Sequence, residues 1–188
     1  MTVLDVLKTA SLYSNISDTL EPIFNEDETI PSASLAEFAV LLGAFNRAVK
    51  KIASNYLDCL SASVVTINSD GEFDLSSLSL RCRKVLSLFS GRKKLKFKVK
   101  GDTLFTSFSG IATITFAYIP DDYLSTSDFD PFPQLDIGTL SMAVASEYAY
   151  TKAIYDDAQM WQERFLDSIS NIKSRTISNG YIEERIWR

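Results

Sequence analysis

Between Leu140 and Ile172 the chain carries two apolar stripes in succession, and few folds can bury both. In the second half Ala158, Trp161, Phe165, Ile169 and Ile172 recur at steps of three and four, with Gln159, Gln162, Glu163 and Asp167 opposite. That spacing puts one apolar face on one helix. In the first half Leu140, Val144, Tyr148 and Thr151 form a parallel stripe, and Ala143, Ala145 and Ala149 let another helix approach closely. The pattern predicts two antiparallel helices with a tight turn at Thr151 to Tyr155, because Asp156 and Asp157 suit the first turn of a new helix. Two such stripes bury against each other and against a third partner.

The expected third partner is the helix that follows Ser34 and Glu37, an S-x-x-E capping box, with Phe38, Leu42, Phe45, Val49, Ile52 and Tyr56 stepping by four and three. It is expected to end near Leu60. Thr2 caps a short helix carrying Val3, Val6, Leu7 and Ala10, and Ser14 to Pro31 reads mostly as loop. From Ala62 to Pro120 the period changes to two, with turns at Asp70-Gly71, Ser90-Gly91-Arg92 and Gly101-Asp102. The expected fold class is therefore α+β: a helical bundle of three to four helices with an inserted small antiparallel β-sheet and an extended C-terminal arm. The expected divisions are 1–60 for the N-terminal helices, 61–120 for the sheet, 121–135 for a loop, 136–174 for the helical hairpin and 175–188 for the arm. Asp121, Asp122, Asp128 and Asp130 lie in that loop without the glycine or ligand spacing of a calcium site.

Composition narrows the chemistry. The 188 residues include no histidine, which removes Ser-His-Asp and Cys-His nucleophile systems and imidazole zinc sites. Seven glycines are scattered, and no phosphate-binding loop occurs. Ser90 and Lys93 meet the S-x-x-K spacing only in an expected hairpin. Glu147 and Glu163 offer one carboxylate on each hairpin helix, but no E-x-x-H element accompanies them. No catalytic residue, cofactor site or metal site is expected, and the chain is not expected to be an enzyme. No apolar run reaches the length of a membrane span, and the first residues lack a cationic region before an apolar one. The expectation is a protein folded in cytoplasm, with Cys59 and Cys82 as reduced thiols and a disulfide between them as the alternative.

A net charge of -5 argues against a general nucleic-acid binder. Locally, Lys94, Lys96, Lys98 and Lys100 alternate with Leu95, Phe97 and Val99. Such a row keeps an exposed strand from pairing with strangers, and it also offers contact to a channel or an acidic neighbour. After Lys173 the chain ends in a polar stretch that retains Tyr181, Ile182, Arg185, Ile186, Trp187 and Arg188, an apolar and cationic set suited to packing on a partner.

The run ASEYAYTKAIYDDAQMWQERFLDSI resembles a stretch of head-tail adaptor (connector) virion proteins of tailed bacteriophages, in which an alanine-rich helix with Glu-Tyr precedes an acidic pair, a tryptophan and Arg-Phe. The segments from Phe45 to Ser79 and from Val85 to Asp122 are similar to the helix, strand, turn and sheet of those proteins. The ending EERIWR is similar to their terminus, with Ile186 where a second basic residue is common. The resemblance implies a structural subunit of a head-tail connector ring in the virion, made in the host cytoplasm. It implies a homo-oligomer of about twelve subunits, with portal protein and tail or head-closure proteins as neighbours. DNA would pass through without sequence-specific binding, and no membrane is involved. The alternatives are a non-catalytic intracellular protein-protein interaction module and a bacterial enzyme without histidine.

Overall fold

The computed structural model describes the backbone of residues 1–129 and 131–186, and the side chains of 1–129 and 131–174. The class is α+β: five helices, with two small antiparallel sheets inserted between the N-terminal and C-terminal helices. The chain divides into two compact units, Met1–Val49 with Asp122–Arg188, and Lys50–Asp121.

The first unit is helical. Helix α1 (Val3–Tyr13) starts at Thr2, whose hydroxyl accepts from Asp5 N while Asp5 accepts from Thr2 N, so two otherwise orphaned donors are satisfied reciprocally. Helix α2 (Ser17–Phe24) occupies a segment expected to be loop. Pro22 lies inside it and cannot donate to Asp18 O, but Leu20 is fully buried, so tertiary burial outweighs that local cost. Helix α3 (Ser32–Asn55) begins two residues before the expected capping box. Leu35 N donates to Pro31 O, Ser34 is buried inside the first turn, and Glu37 is used elsewhere.

Helix α4 (Ile137–Thr151) begins at Asp136, which accepts from Thr139 N at 2.6 Å. It is buried along Leu140, Val144 and Tyr148 and also at Ala143, Ala145 and Ala149, because α1 lies against it on one side and α5 (Tyr155–Ile186) on another. Its buried hydroxyls are satisfied across those seams: Ser141 Oγ donates to Val6 O at 3.1 Å and Ser146 Oγ to Ala158 O at 2.9 Å. The expected hairpin is therefore present with its turn where Asp156 and Asp157 put it. Ala153, at φ +59°, reverses the chain in place of a glycine.

The backbone neighbours of α4 are α5 and α1, whereas α3 was expected as the third partner. Helix α3 reaches α4 through polar side chains. Glu37 accepts from Tyr148 OH and, at 2.8 Å, from Lys152 Nζ; Arg47 donates to Thr151 Oγ1 and lies 3.9 Å from Glu147. Ala158, Phe165 and Ile169 of α5 are buried, and Trp161 stacks on Tyr13 with ring centroids 4.6 Å apart. The stretch 121–135 is more than a linker. Asn46 brackets Tyr123 with two hydrogen bonds, Phe129 N donates to Met1 O, and Phe45, Tyr123, Phe129 and Phe132 form an aromatic cluster. Asp130 lies outside the described residues.

The second unit holds two sheets where one was expected. Strands β1 (Cys59–Ile67), β7 (Gly110–Tyr118), β3 (Cys82–Ser90) and β4 (Lys93–Lys94) lie in that order. A second sheet has the order β2 (Glu72–Asp74), β6 (Thr103–Thr106), β5 (Phe97–Lys100). The expected single lysine-bearing strand is divided. Its first residues pair with β3, Leu95 N still donates to Leu88 O, and from Phe97 onward the backbone pairs with β6 instead. Val65, Ile67, Leu75, Leu88, Leu104, Ile114 and Phe116 close one core beneath both sheets. The first strand begins at Cys59 where helix was expected, α3 having ended at Asn55, and Leu75–Ser77 forms a single 3-10 turn.

Candidate interaction surface

The division of the lysine strand opens a groove of about 990 Å³ in the second unit. Leu86, Leu95, Phe97 and Phe105 supply apolar walls, and Lys94, Lys96 and Lys98 stand around them. All four lysines of the row are exposed, with Lys100 beyond the groove at the end of β5. Both β4 and β5 are sheet edges, so the row does guard free backbone. It also does something an edge guard does not require, which is to line one groove together with apolar side chains. An extended or knob-like group with apolar side chains and carboxylates fits such a place; a bare polyanion would leave the walls unused.

The charge of the chain is unevenly placed. Lys50–Asp121 contains 11 Lys or Arg against 6 Asp or Glu, a formal +5, whereas the rest of the chain contains 8 against 18, a formal −10. The total of -5 hides both. No Lys or Arg occurs between Lys8 and Arg47, and within that span Asp18, Glu21, Glu26, Asp27 and Glu28 are exposed.

Two surfaces escaped sequence reasoning. The corner joining α4 to α5 is exposed from Tyr150 through Asp157 and presents Ile154 (46% exposed) and Tyr155 (66%) beside Asp156 and Asp157. Its signal was Tyr150, Ile154 and Tyr155 lying off both apolar stripes. The other is the outer face of β1 and β7, where Leu60, Val64 and Ile111 are 59%, 73% and 69% exposed. Strand β1 is an edge of nine residues paired to β7 without a bulge, and neither strand contains a charged residue. Charge-free alternation on both faces of CLSASVVTI could have revealed it.

The remaining candidates are accounted for locally. Glu147 lies beside Arg47, and Glu163 accepts from Gln159 of its own helix at 2.9 Å. Among the described residues no group of three or more His, Cys, Asp or Glu is placed to hold a metal ion. Ser90 Oγ is directed to Ile111 O, with Lys93 opposite it in the β3–β4 ladder. Cys59 and Cys82 are free and pair with Tyr118 from opposite sides of β7. Two strand spacings, about 10 Å, separate them, which is too far for a disulfide. Burial foremost pushes the Cys59 thiol up to about 12, Asp58 also raising it and Arg83 opposing, so it is inert. Arg83 in turn binds Asp58 and donates to Ser54 O at 2.7 Å. The arm expected at 175–188 falls on the last turns of α5 and the two residues after it. The side chains of Tyr181, Ile182, Arg185 and Ile186, and all of Trp187 and Arg188, lie outside the described residues. No family model matches the chain, and no curated protein matches it.

Proposed function

We propose that the chain is a structural subunit of a bacteriophage head-tail connector ring, which joins the portal to the tail and surrounds the DNA passage. The partition of charge carries the reading. A closed ring needs a heterologous contact, in which one patch meets a different patch on the next copy. A +5 unit and a −10 unit on every copy supply unlike surfaces that attract between copies and repel like to like. The resemblance of the helical hairpin and sheet to connector proteins supports the same role. So does the uncharged β1 edge, since a chain that worked alone would be expected to guard nine residues of flat strand. The role involves no catalysis and no resident cofactor. DNA meets the subunit through backbone charge alone, without sequence reading.

Purified protein should sediment as closed oligomers at low salt and display rings with a central opening in negative-stain micrographs. The oligomer should loosen as salt is raised toward about 1 M, where screening acts within about 3 Å. A strictly monomeric protein at about 100 μM and low salt, where screening is weakest, would overturn the reading. A monomer that captures a different protein would favour the interaction-module alternative.

A further inference from the structure

We infer that the lysine-lined groove of one copy receives the α4–α5 corner of the next copy. The inference rests on the ring reading and assigns its subunit contact. The groove is lined by apolar Leu95, Phe97 and Phe105 together with a row of lysines, Lys94, Lys96 and Lys98. The corner offers the matching inverse. Ile154 and Tyr155 project at 46% and 66% exposure, and Asp156 and Asp157 follow on the first turn of α5.

Each half is anomalous alone and explained by the other. First-turn aspartates serve the helix dipole without help, but that role gives no reason to hold a tyrosine and an isoleucine in water beside them. Edge lysines protect a strand without help, but that role gives no reason for a groove of about 990 Å³ beside them with Leu86, Leu95, Phe97 and Phe105 in its lining. Tyrosine in a desolvated pocket is the side-chain type that dominates protein interfaces, and carboxylates meeting ammonium groups at the rim fix its orientation. The acidic stretch around Glu26 to Glu28 also carries charge, but Glu26, Asp27, Glu28 and Thr29 are four polar residues in a row and leave nothing for the walls. Because groove and corner are different surfaces, the contact is heterologous and propagates from copy to copy.

The test uses the full chain. One variant changes the groove (Lys94→Gln, Lys96→Gln, Lys98→Gln) and another changes the corner (Tyr155→Ala, Asp156→Asn, Asp157→Asn), each checked for native helix content. Each should weaken self-association by roughly 30-fold or more, the effect of losing one interface hot spot. Mixed together, they should form a dimer that grows no further, since each supplies one intact half. As a check independent of weakened folding, Lys96→Cys with Tyr155→Cys should give a ladder of disulfide-linked oligomers under mild oxidation. Lys96→Cys with Leu12→Cys, a control at an equally exposed position, should not. Wild-type rings that survive both variants, or equal ladders from both cysteine pairs, would overturn the contact and leave the ring standing. A specific ladder from a protein that forms open chains and never rings would uphold the contact and remove the ring. A monomer that gives no ladder would remove both.

Discussion

Replacing Phe45 with alanine should loosen the helical unit more than any single change on its surface. Phe45 is fully buried on α3, with its ring 5.3 Å from Phe129 at 74° and 6.0 Å from Tyr123 at 89°. Both are edge-to-face arrangements, in which a positive ring edge meets a negative face. The cavity left by alanine should cost about 3–5 kcal/mol. For a chain of this size each kcal/mol shifts the midpoint by about 2–4 °C, so the loss should be about 6–20 °C. Phe45→Leu refills much of the space and keeps apolar contact, so it should cost less. The aromatic share is isolated by a cycle of Phe45→Leu and Phe129→Leu, whose coupling should be about 0.5–1.5 kcal/mol. Thermal melts followed by circular dichroism at the helix band report this unit selectively, because the helices other than the end of α3 belong to it. A midpoint within about 2 °C of wild type for Phe45→Ala would refute the reasoning, since a loss below about 1 kcal/mol leaves no room for the cavity cost. So would a coupling of zero with both single changes costly, because the loop 121–135 would then be held by something other than these rings.

Two further outcomes follow from single positions. A Cβ on Gly71, at φ +78°, would meet Thr106 O at 2.0 Å, so Gly71→Ala should lower the unfolding free energy of the sheet unit, read from urea titrations, by about 3 kcal/mol or more, whereas Gly91→Ala, with nothing within 4 Å, should cost about 1 kcal/mol. For Glu37, burial opposes ionisation most strongly, but hydrogen bonds from Lys152 and Tyr148 and the lysine charge together hold its carboxyl below its ordinary 4.5. A lowered folded value stabilises above the unfolded value and is lost as pH falls through the folded one. Wild type should therefore exceed Glu37→Gln in stability by about 1–2 kcal/mol near neutrality, with the gap closing below pH 4.5 in acid titrations; a gap constant down to pH 3 would contradict it.

The hairpin was readable because its apolar positions obey one period for eight turns of helix and because its turn is marked by Asp156 and Asp157. Period reports which face is buried, but it does not report against what. Phe38 to Tyr56 has as good a stripe as α5, and nothing in its spacing shows that the short α1 lies against α4 in its place. Alternation at Lys94 to Lys100 likewise reports strand, but the change of partner at Phe97 is decided by Leu95 and Thr106. Thr106 Oγ1 donates to Lys96 O at 2.8 Å, a contact between residues ten apart. The groove was legible as its lysines and as Leu95 and Phe97 between them. Its other walls come from Leu86 and Phe105, on strands whose proximity is a product of the fold. Charge partition, by contrast, was present in the sequence and hidden by summing it.

The first and last strands of the inserted unit are next to each other, with Cys59 opposite Tyr118 in an unbroken ladder. Its entrance and exit thus stand about 5 Å apart. For the helical unit, the sixty residues between them amount to a short detour whose two ends already coincide, and loop-closure entropy rises only slowly with what lies between. A lineage can lengthen, shorten or exchange such an excursion while the helices keep their packing, which lets the inserted unit vary faster than the part that holds the chain together.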